Sequence, residues 1–139
     1  MPSSYSGVRA LLEYGSANSM MASVSAYGSS EDGLAVGGGI SYRHTDGFFT
    51  NAYDGASCDP SDAVSMRLRL EKQIKPDLYF ENILSAGYVN QGGWPYRQYL
   101  ADTKELLATS YNDVCAYRRL NVTEAVKLRY DAPSYVLNS

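Results

Sequence analysis

The sequence predicts an all-β fold: an antiparallel meander of about seven long strands, forming an unclosed segment of a transmembrane β-barrel over residues 1–139. Apolar and polar residues alternate with period two over long stretches, most clearly in residues 63–73. The 139-residue chain contains 13 tyrosines and 12 glycines, which favour strands and turns over helix. Short polar turns also alternate with long links between the strands. These three observations are those expected of a barrel wall.

The strand pattern occurs in seven segments: residues 8–14, 20–28, 34–44, 63–73, 78–91, 120–131 and 135–137. The fourth segment places apolar side chains on one face: Val64, Met66, Leu68 and Leu70. Its other face carries Ser65, Arg67, Arg69 and Glu71. Asn82 and Glu124 interrupt the apolar faces of the fifth and sixth segments. Residues 104–109 alone are predicted to form a helix, and that helix is short.

The connections between these strands are strongly unequal in length. Residues 29–33, 75–77 and 132–134 form tight polar turns, whereas residues 45–62 and 92–119 form long loops. If consecutive strands pair antiparallel, every long loop falls at one end of the sheet and every tight turn at the other. Outer-membrane barrels have this asymmetry, with long extracellular loops and short periplasmic turns. The longer predicted strands also reach the length of about 9–11 residues needed to cross a bilayer at a tilt.

Charge and targeting signals narrow the class of protein. The formal net charge is −3, so there is no global basic field to attract nucleic acid, and no nucleic-acid partner is expected. No run approaches the roughly 20 apolar residues of a transmembrane helix. The first residues lack a basic and then apolar signal-peptide pattern, and the last residues resemble the start of a strand. We therefore expect a fragment of a longer protein.

An ordered set of segments resembles the early barrel strands of TonB-dependent outer-membrane receptors. RHTDGFFTN (43–51) and QGGWPY (91–96) are similar to the family's segments in which a strand ends and an extracellular loop begins. YNDVCAYRR (111–119) is similar to the end of such a loop. MRLRL (66–70), followed by KPDLYF (75–80), is similar to the family's next strand, periplasmic turn and following strand. LRYDA (128–132) is similar to a strand that returns to the periplasm. The resemblance covers nearly the whole chain, and the ordered set is more specific than any single segment.

The resemblance implies a bacterial outer-membrane location and a role in import. Receptors of this family have a barrel of about 22 strands filled by an N-terminal plug domain. They import bulky, scarce nutrients such as ferric siderophores, haem, cobalamin or glycans, with energy from the TonB complex. The implied partners are outer-membrane lipid, the plug domain, the remaining barrel strands and, through the plug, the TonB complex. This sequence contains no plug segment, so the import role is an expectation for the parent receptor.

Two sets of side chains are predicted to face the lumen or the ligand. Those on the polar faces of two strands are expected to face the barrel lumen: Arg67, Arg69, Lys127 and Arg129. Those in and after the second long loop are the candidate ligand contacts: Trp94, Tyr96, Tyr99, Tyr117, Arg118 and Arg119. The alternatives are solvated arginines on a soluble sheet and a tyrosine-rich loop that packs on itself.

No catalytic constellation is present, so an enzyme is not expected, and no cofactor or metal site is predicted. His44 is the only histidine and is interpreted as solvated or hydrogen-bonded. Four acids in one loop leave a calcium site as a minor alternative: Asp46, Asp54, Asp59 and Asp62. Cys58 and Cys115 are either two free thiols or one disulfide between the long loops. Glycines 37–39 are interpreted as a bend or a close approach within a strand.

Two other classes of protein remain open from the sequence. One is a small, self-contained outer-membrane barrel used for adhesion. The other is a soluble β-barrel that binds a small ligand inside. A soluble barrel would turn its apolar faces inward and leave the charged faces of the strands in water. The two barrel types therefore differ in which face of the sheet is concave.

Overall fold

A computed structural model describes residues 6–113, 115–132 and 135–138, and within these ranges all regular secondary structure is β. The nine strands, in chain order, are β1 (Gly7–Tyr14), β2 (Met20–Ser29), β3 (Leu34–Thr45), β4 (Ser61–Lys75), β5 (Leu78–Gly92), β6 (Tyr99–Leu100), β7 (Glu105–Leu106), β8 (Ala116–Ala132) and β9 (Tyr135–Asn138). Seven of them form one sheet in the order β1-β2-β3-β4-β5-β8-β9, and β6 and β7 form a separate pair.

The large sheet is an antiparallel meander, as predicted. Each strand pairs antiparallel with the next strand of the sheet along the chain, without a crossover. The two outer strands, β1 and β9, do not pair with each other in the part of the chain that the structure describes, so the sheet is not closed into a barrel. The prediction of an all-β, unclosed meander is confirmed.

The strands extend beyond their apolar segments at the end of the sheet that carries the long loops. β4 begins at Ser61 and β8 at Ala116, earlier than the predicted residues 63 and 120. Backbone pairing continues through polar positions there, for example Asp62 with His44 and Arg118 with Asn90. Alternation of apolar residues marks the part of a strand with an apolar face, whereas hydrogen bonding between strands needs no apolar side chain.

The tight turns lie at the opposite end of the sheet. β2 and β3 are joined by residues 30–33, where Gly33 has a positive φ of 78°. β4 and β5 are joined by residues 76–77, next to a register shift between Gln73 and Lys75. The third predicted turn, 132–134, includes Pro133 and Ser134, which lie outside the described residues.

The predicted helix at residues 104–109 is wrong. Tyr99 pairs with Leu106 and Leu100 with Glu105, which makes a small antiparallel hairpin. Lys104 has a positive φ of 56°, a conformation that a right-handed helix does not contain. The guanidinium of Arg97 donates hydrogen bonds to the carbonyls of Leu107 (2.8 Å) and Leu106 (3.2 Å). These bonds hold the second hairpin strand, and a two-turn helix has little cooperative stability to compete with them.

The two faces of the large sheet differ in chemistry, and neither of them covers a protein core. Side chains directly opposite each other in neighbouring strands share a face, so the register assigns every strand residue to one face. The apolar face is largely exposed: Val122 is 64% exposed and Leu120 is 72% exposed. Among the described residues, Cys58 is the only buried hydrophobic residue. The sheet therefore has an apolar surface that the chain itself does not cover.

Candidate functional site

The polar face of the sheet is its concave face. A cavity of about 770 Å³ lies against this face and extends across five strands, from Ser23 on β2 to Asn121 on β8. A cavity can span five neighbouring strands on one face only where the sheet curves around it. The polar face is therefore the inner side of the curve, and the apolar face is the outer side.

Small and polar side chains line the cavity in two adjacent rows that cross the sheet. One row is Ser23, Ser41, Ser65, Gly87 and Asn121, and the next is Ser25, Gly39, Arg67 and Ser85, which Thr123 continues beyond the cavity lining. The hydroxyl oxygens of Ser41 and Ser65 lie 2.8 Å apart and share a hydrogen bond. Because the serines and glycines of these rows have short side chains or none, they leave open a volume that the longer Arg67 and Arg119 side chains also line.

All four predicted lumen-facing residues lie on this polar face. Arg67 lines the large cavity, and Lys127 and Arg129 line a second cavity of about 320 Å³ close to the tight turns. Arg69 lines both cavities. The register places Arg69 opposite Gly37 on β3 and Ile83 on β5, in the next row of this face toward the tight turns from that of Arg67. The four cations are thus on one side of the sheet, and whether that side faces a barrel lumen stays a prediction.

A charge network occupies the floor of the smaller cavity. Arg69 Nη2 lies 2.7 Å from Glu81 Oε1, and Arg69 Nε lies 2.7 Å from Glu71 Oε1 without the alignment of a hydrogen bond. The Tyr79 hydroxyl donates to Glu71 Oε2 at 2.9 Å. Glu71 is 7% exposed. This network balances one buried carboxylate and one partly buried carboxylate against a single guanidinium, so the wall near the turns is preorganised before any further contact.

The convex face carries an apolar band with polar edges. On β5 the band runs from Leu78 to Tyr88, ten residues along the strand, which at about 3.4 Å per residue and a tilt of about 40° is about 26 Å high. Outer-membrane barrels have an apolar band of about 25 Å. One row beyond the band, on the loop side, four neighbouring strands carry polar residues: His44, Asp62, Asn90 and Arg118.

Aromatic side chains lie at both edges of this band. Tyr42 and Tyr88 flank Val64 in the last row on the loop side. Phe80 and Tyr130 lie in the last rows on the turn side. Tyrosine combines an apolar ring with a polar hydroxyl, and such rings are enriched where hydrocarbon meets water. The Tyr42 hydroxyl donates to Asp62 Oδ1 at 2.5 Å, so its polar end points out of the band toward the loops.

The two long loops are tied to each other by Asn51, which is only 3% exposed. Its side-chain amide donates to the carbonyl of Tyr111 at 2.8 Å and accepts from the backbone N–H of Tyr111 at 3.1 Å. The N–H of Ala52 also donates to the carbonyl of Thr109 at 2.8 Å. This role of Asn51 has no signal in the sequence, because a single asparagine in a polar loop does not indicate a partner 60 residues away.

The predicted ligand contacts divide into three groups. In the second long loop, Trp94, Tyr96 and Tyr99 are 67%, 83% and 60% exposed. Tyr117 and Arg119 lie on the concave face, where the Arg119 guanidinium is 6.0 Å from the centre of the Tyr117 ring. Arg118 lies on the convex face and donates to Asn90 Oδ1 at 3.1 Å. Consecutive residues on a strand point to opposite faces, so Arg118 and Arg119 do not face a common ligand along the strand.

Cys58, in the first long loop, and Cys115, near the end of the second, are both free thiols, and each lies close in space to a glycine at the start of the second loop. Cys58 is buried, and its carbonyl oxygen would lie 2.5 Å from a Cβ added at Gly92. Cys115 is exposed, and its Cβ would lie 2.4 Å from a Cβ added at Gly93. Glycine is required at both positions because the backbone of each passes close to a cysteine. A hydrogen bond to the Cys58 side chain, together with burial, raises the pKa of Tyr111 to about 12.

His44 lies one row outside the apolar band and is hydrogen-bonded on both ring nitrogens. Nδ1 is 2.8 Å from Asp62 Oδ1, and Nε2 is 3.1 Å from Asp46 Oδ1. The hydrogen bond to Asp62, followed by the bond to Asp46, raises the pKa of His44 above its usual value of 6.5. The interpretation of His44 as a hydrogen-bonded histidine agrees with these contacts.

The four loop acids serve three local structures, because Asp46 and Asp62 both bond to His44. Asp59 Oδ1 accepts from the N–H groups of Phe48 and Phe49, each at 3.0 Å, and Asp54 Oδ1 accepts from the N–H of Ala56 at 3.0 Å. Within the described ranges, no group of three or more His, Cys, Asp or Glu side chains is arranged to hold a metal ion. Within the same ranges, no helix is long and apolar enough to cross a membrane.

Comparison of the chain with known protein families, curated proteins and solved structures gives no match in any of the three.

Proposed function

We propose that this chain is part of the wall of an outer-membrane β-barrel receptor of the TonB-dependent type, which imports a bulky, scarce nutrient. The observation that carries the proposal is the direction of curvature. The concave face is polar and charged around a cavity of about 770 Å³, and the convex face is apolar and exposed. A soluble barrel has the opposite arrangement, with its apolar face enclosed. A membrane barrel turns its apolar face to lipid and its polar face to the lumen.

Three further features support the proposal. The apolar band has about the height of a bilayer core, and aromatic rings lie at both of its edges. The long loops lie at one end of the sheet and the described tight turns at the other. The two loops are joined through Asn51, so they form a single structured surface above the sheet. In a receptor, such a surface is where an extracellular ligand arrives.

The receptor type, the import role and the TonB partner come from the resemblance to the family. The ordered segments of residues 43–51, 66–80, 91–96, 111–119 and 128–132 carry that resemblance. On this proposal Arg67 and Arg69 face the plug domain across the lumen, and Trp94, Tyr96 and Tyr99 are exposed to the ligand. The ligand class, whether ferric siderophore, haem, cobalamin or glycan, is open within the proposal.

Site-directed spin labels at Arg67 and Leu68 test the proposal in the receptor that carries this chain, reconstituted in lipid vesicles. The two residues are consecutive on β4 and point to opposite faces. We expect the Leu68 label to be relaxed by lipid-soluble oxygen and the Arg67 label by a water-soluble nickel complex. The opposite result would favour a sheet whose apolar face is turned inward, as in a soluble barrel. Exchanging the two faces is also what a shift of one residue along β4 would produce.

A further inference from the structure

Asn82 and Glu124 form a hydrogen-bonded pair near the middle of the apolar band on the convex face. The Asn82 side-chain amide donates to Glu124 Oε1 at 2.9 Å. In the register, Leu84 is opposite Glu124 and Asn82 is opposite Val126, so the two polar residues are diagonal neighbours on β5 and β8. Glu124 is exposed and Asn82 is half-buried. The pair therefore faces outward, away from the concave cavity.

The depth of this pair makes it chemically unusual. Glu124 is four residues from Leu120 at the loop-side edge of the band and six from Tyr130 at the turn-side edge. At about 3.4 Å per residue and a tilt of about 40°, it lies about 10 Å inside one edge and about 16 Å from the other. This position is near the middle of the band. Ionisable side chains at that depth are rare and are usually paired with a protein partner rather than left facing lipid.

The pair also retains hydrogen-bonding capacity. An asparagine amide has two N–H groups and an acceptor oxygen, and a glutamate carboxyl has two oxygens. Within the described residues, Asn82 and Glu124 form one bond, with each other, and no other side-chain hydrogen bond. The second amide N–H and Glu124 Oε2 are left for an external partner. In hydrocarbon only another protein surface supplies such groups, because no water is present.

We propose that the convex surface of β5 and β8 is a dimer interface in which a second copy of this chain pairs with the Asn82–Glu124 pair. The inference rests on the proposed function, because it requires the convex face to lie in lipid. Both copies have the same orientation in the membrane, so the two-fold axis runs along the membrane normal. This axis passes between β5 and β8, so that β5 of one copy faces β8 of the other. Asn82 of each copy then lies opposite Glu124 of the other copy.

This arrangement is self-complementary. Each remaining amide N–H donates to the remaining carboxyl oxygen across the axis, so the four side chains close a ring of hydrogen bonds. The surrounding side chains on the two strands are apolar and exposed, and they supply the packing: Val122, Val126 and Leu128 are 64%, 58% and 42% exposed. A two-fold interface uses the same patch on both copies, which is the property that this pair has.

The test measures dimerisation of the full receptor in lipid vesicles, by energy transfer between copies labelled with donor and acceptor dyes. We expect the receptor to dimerise, and we expect Glu124→Leu to weaken dimerisation about tenfold or more, since it removes two hydrogen-bonded contacts across the axis. Glu124→Gln keeps an acceptor oxygen for Asn82 of its own copy and adds an N–H group that donates to Asn82 Oδ1 across the axis, so dimerisation should be retained within about threefold. Val24→Leu, on the same face of β2 but far from the pair, is the matched control and should have no effect.

A second measurement separates failure of the interface from failure of the proposed function. Spin labels at Val122 and at Val24 report access to lipid-soluble oxygen. In the dimer the Val122 label should be shielded and the Val24 label accessible. Equal accessibility of both labels in a monomeric receptor overturns the dimer and leaves the membrane proposal standing. Relaxation of both labels by a water-soluble reagent overturns the membrane proposal itself, and the dimer with it.

Discussion

Replacing Leu68 by arginine places a charge at the centre of the apolar band. Leu68 is 48% exposed on the convex face, four residues from Val64 at the loop-side edge and opposite Leu84, which is six residues from Leu78 at the turn-side edge. At about 3.4 Å per residue and a tilt of about 40°, Leu68 lies about 10 Å from the loop-side edge and about 16 Å from the turn-side edge. The Leu68 side chain also covers Gly38, where a Cβ would lie 2.7 Å from Leu68 Cδ2. The aliphatic part of arginine preserves much of that contact.

The expected cost follows from the depth. An arginine on the lipid face of a membrane barrel costs about 2–4 kcal/mol at the bilayer midplane. If water, rather than lipid, surrounds the convex face, an exposed leucine replaced by arginine changes stability by only about 0.5 kcal/mol. The two environments therefore differ by a factor of at least four in the effect of a single substitution.

The assay is equilibrium unfolding by guanidinium of the receptor in phospholipid vesicles, comparing Leu68→Arg with Thr123→Arg. Thr123 lies on the concave face, in the row of Arg67 and Ser85, and is exposed. We expect Thr123→Arg to change the free energy of unfolding by no more than about 0.5 kcal/mol. A near-neutral Leu68→Arg together with a costly Thr123→Arg would refute the assignment of the convex face to lipid.

Three further predictions test the wall and the loops. Gly37→Val should lower the free energy of unfolding by about 1–3 kcal/mol, measured in urea, because a Cβ there would lie 2.7 Å from the Tyr27 ring. Combining it with Tyr27→Ala should remove most of that cost. Gly28→Val is the control, because no atom lies within 4 Å of a Cβ added at Gly28. Asn51→Ala should speed hydrogen exchange at the Tyr111 amide and proteolysis of both loops, since it removes two bonds between them at a cost of about 1–3 kcal/mol; unchanged exchange would mean that the loops are held elsewhere. The NMR titration midpoint of His44 should lie above pH 6.5. Asp62→Asn should lower that midpoint more than Asp46→Asn does, and the control Asp54→Asn should leave it unchanged. Because the folded pKa of His44 is raised, the contribution of His44 to stability is complete below pH 6.5 and is lost as pH rises through the folded pKa.

The strands of the sheet were predictable because one local pattern determines both secondary structure and face. In β4 the alternation from Val64 to Glu71 assigns every side chain to a face, and its neighbours pair in the register that keeps those faces intact. The close approach predicted for glycines 37–39 is observed as well, with the Tyr27 ring over Gly37 and the Leu68 side chain over Gly38. Local sequence and sheet geometry agree at these positions.

The loops were not predictable in the same way. The hairpin of β6 and β7 replaces the expected helix because Arg97 binds the carbonyls of Leu106 and Leu107, a contact across ten residues. Asn51 and Tyr111 are 60 residues apart and meet only because the antiparallel meander brings the two loops to the same end. Such contacts depend on the completed sheet, so periodicity within a segment carries no information about them.

Curvature was likewise outside the reach of the sequence, and it carries most of the functional argument. The alternation in β4 fits a lipid-facing or a buried apolar face equally well, because both put leucine on one side and arginine on the other. A cavity against the serine and arginine rows decides which side is inner. Of the two alternatives for Cys58 and Cys115, the structure has the two free thiols, and the ligand contacts in the second long loop stay predictions.

The energetics of the sheet require an environment outside the chain. Folded domains are stabilised mainly by burying apolar surface, yet among the described residues Cys58 is the only buried hydrophobic residue. Among the described residues, the outer strands β1 and β9 also have edges without a partner strand, which natural sheets pair or protect. Further strands would satisfy the edges, and hydrocarbon would cover the convex face without covering the charged concave face. Within a larger membrane barrel both requirements are met at once, whereas a water-soluble partner would have to cover the whole convex face and still leave Arg67 hydrated.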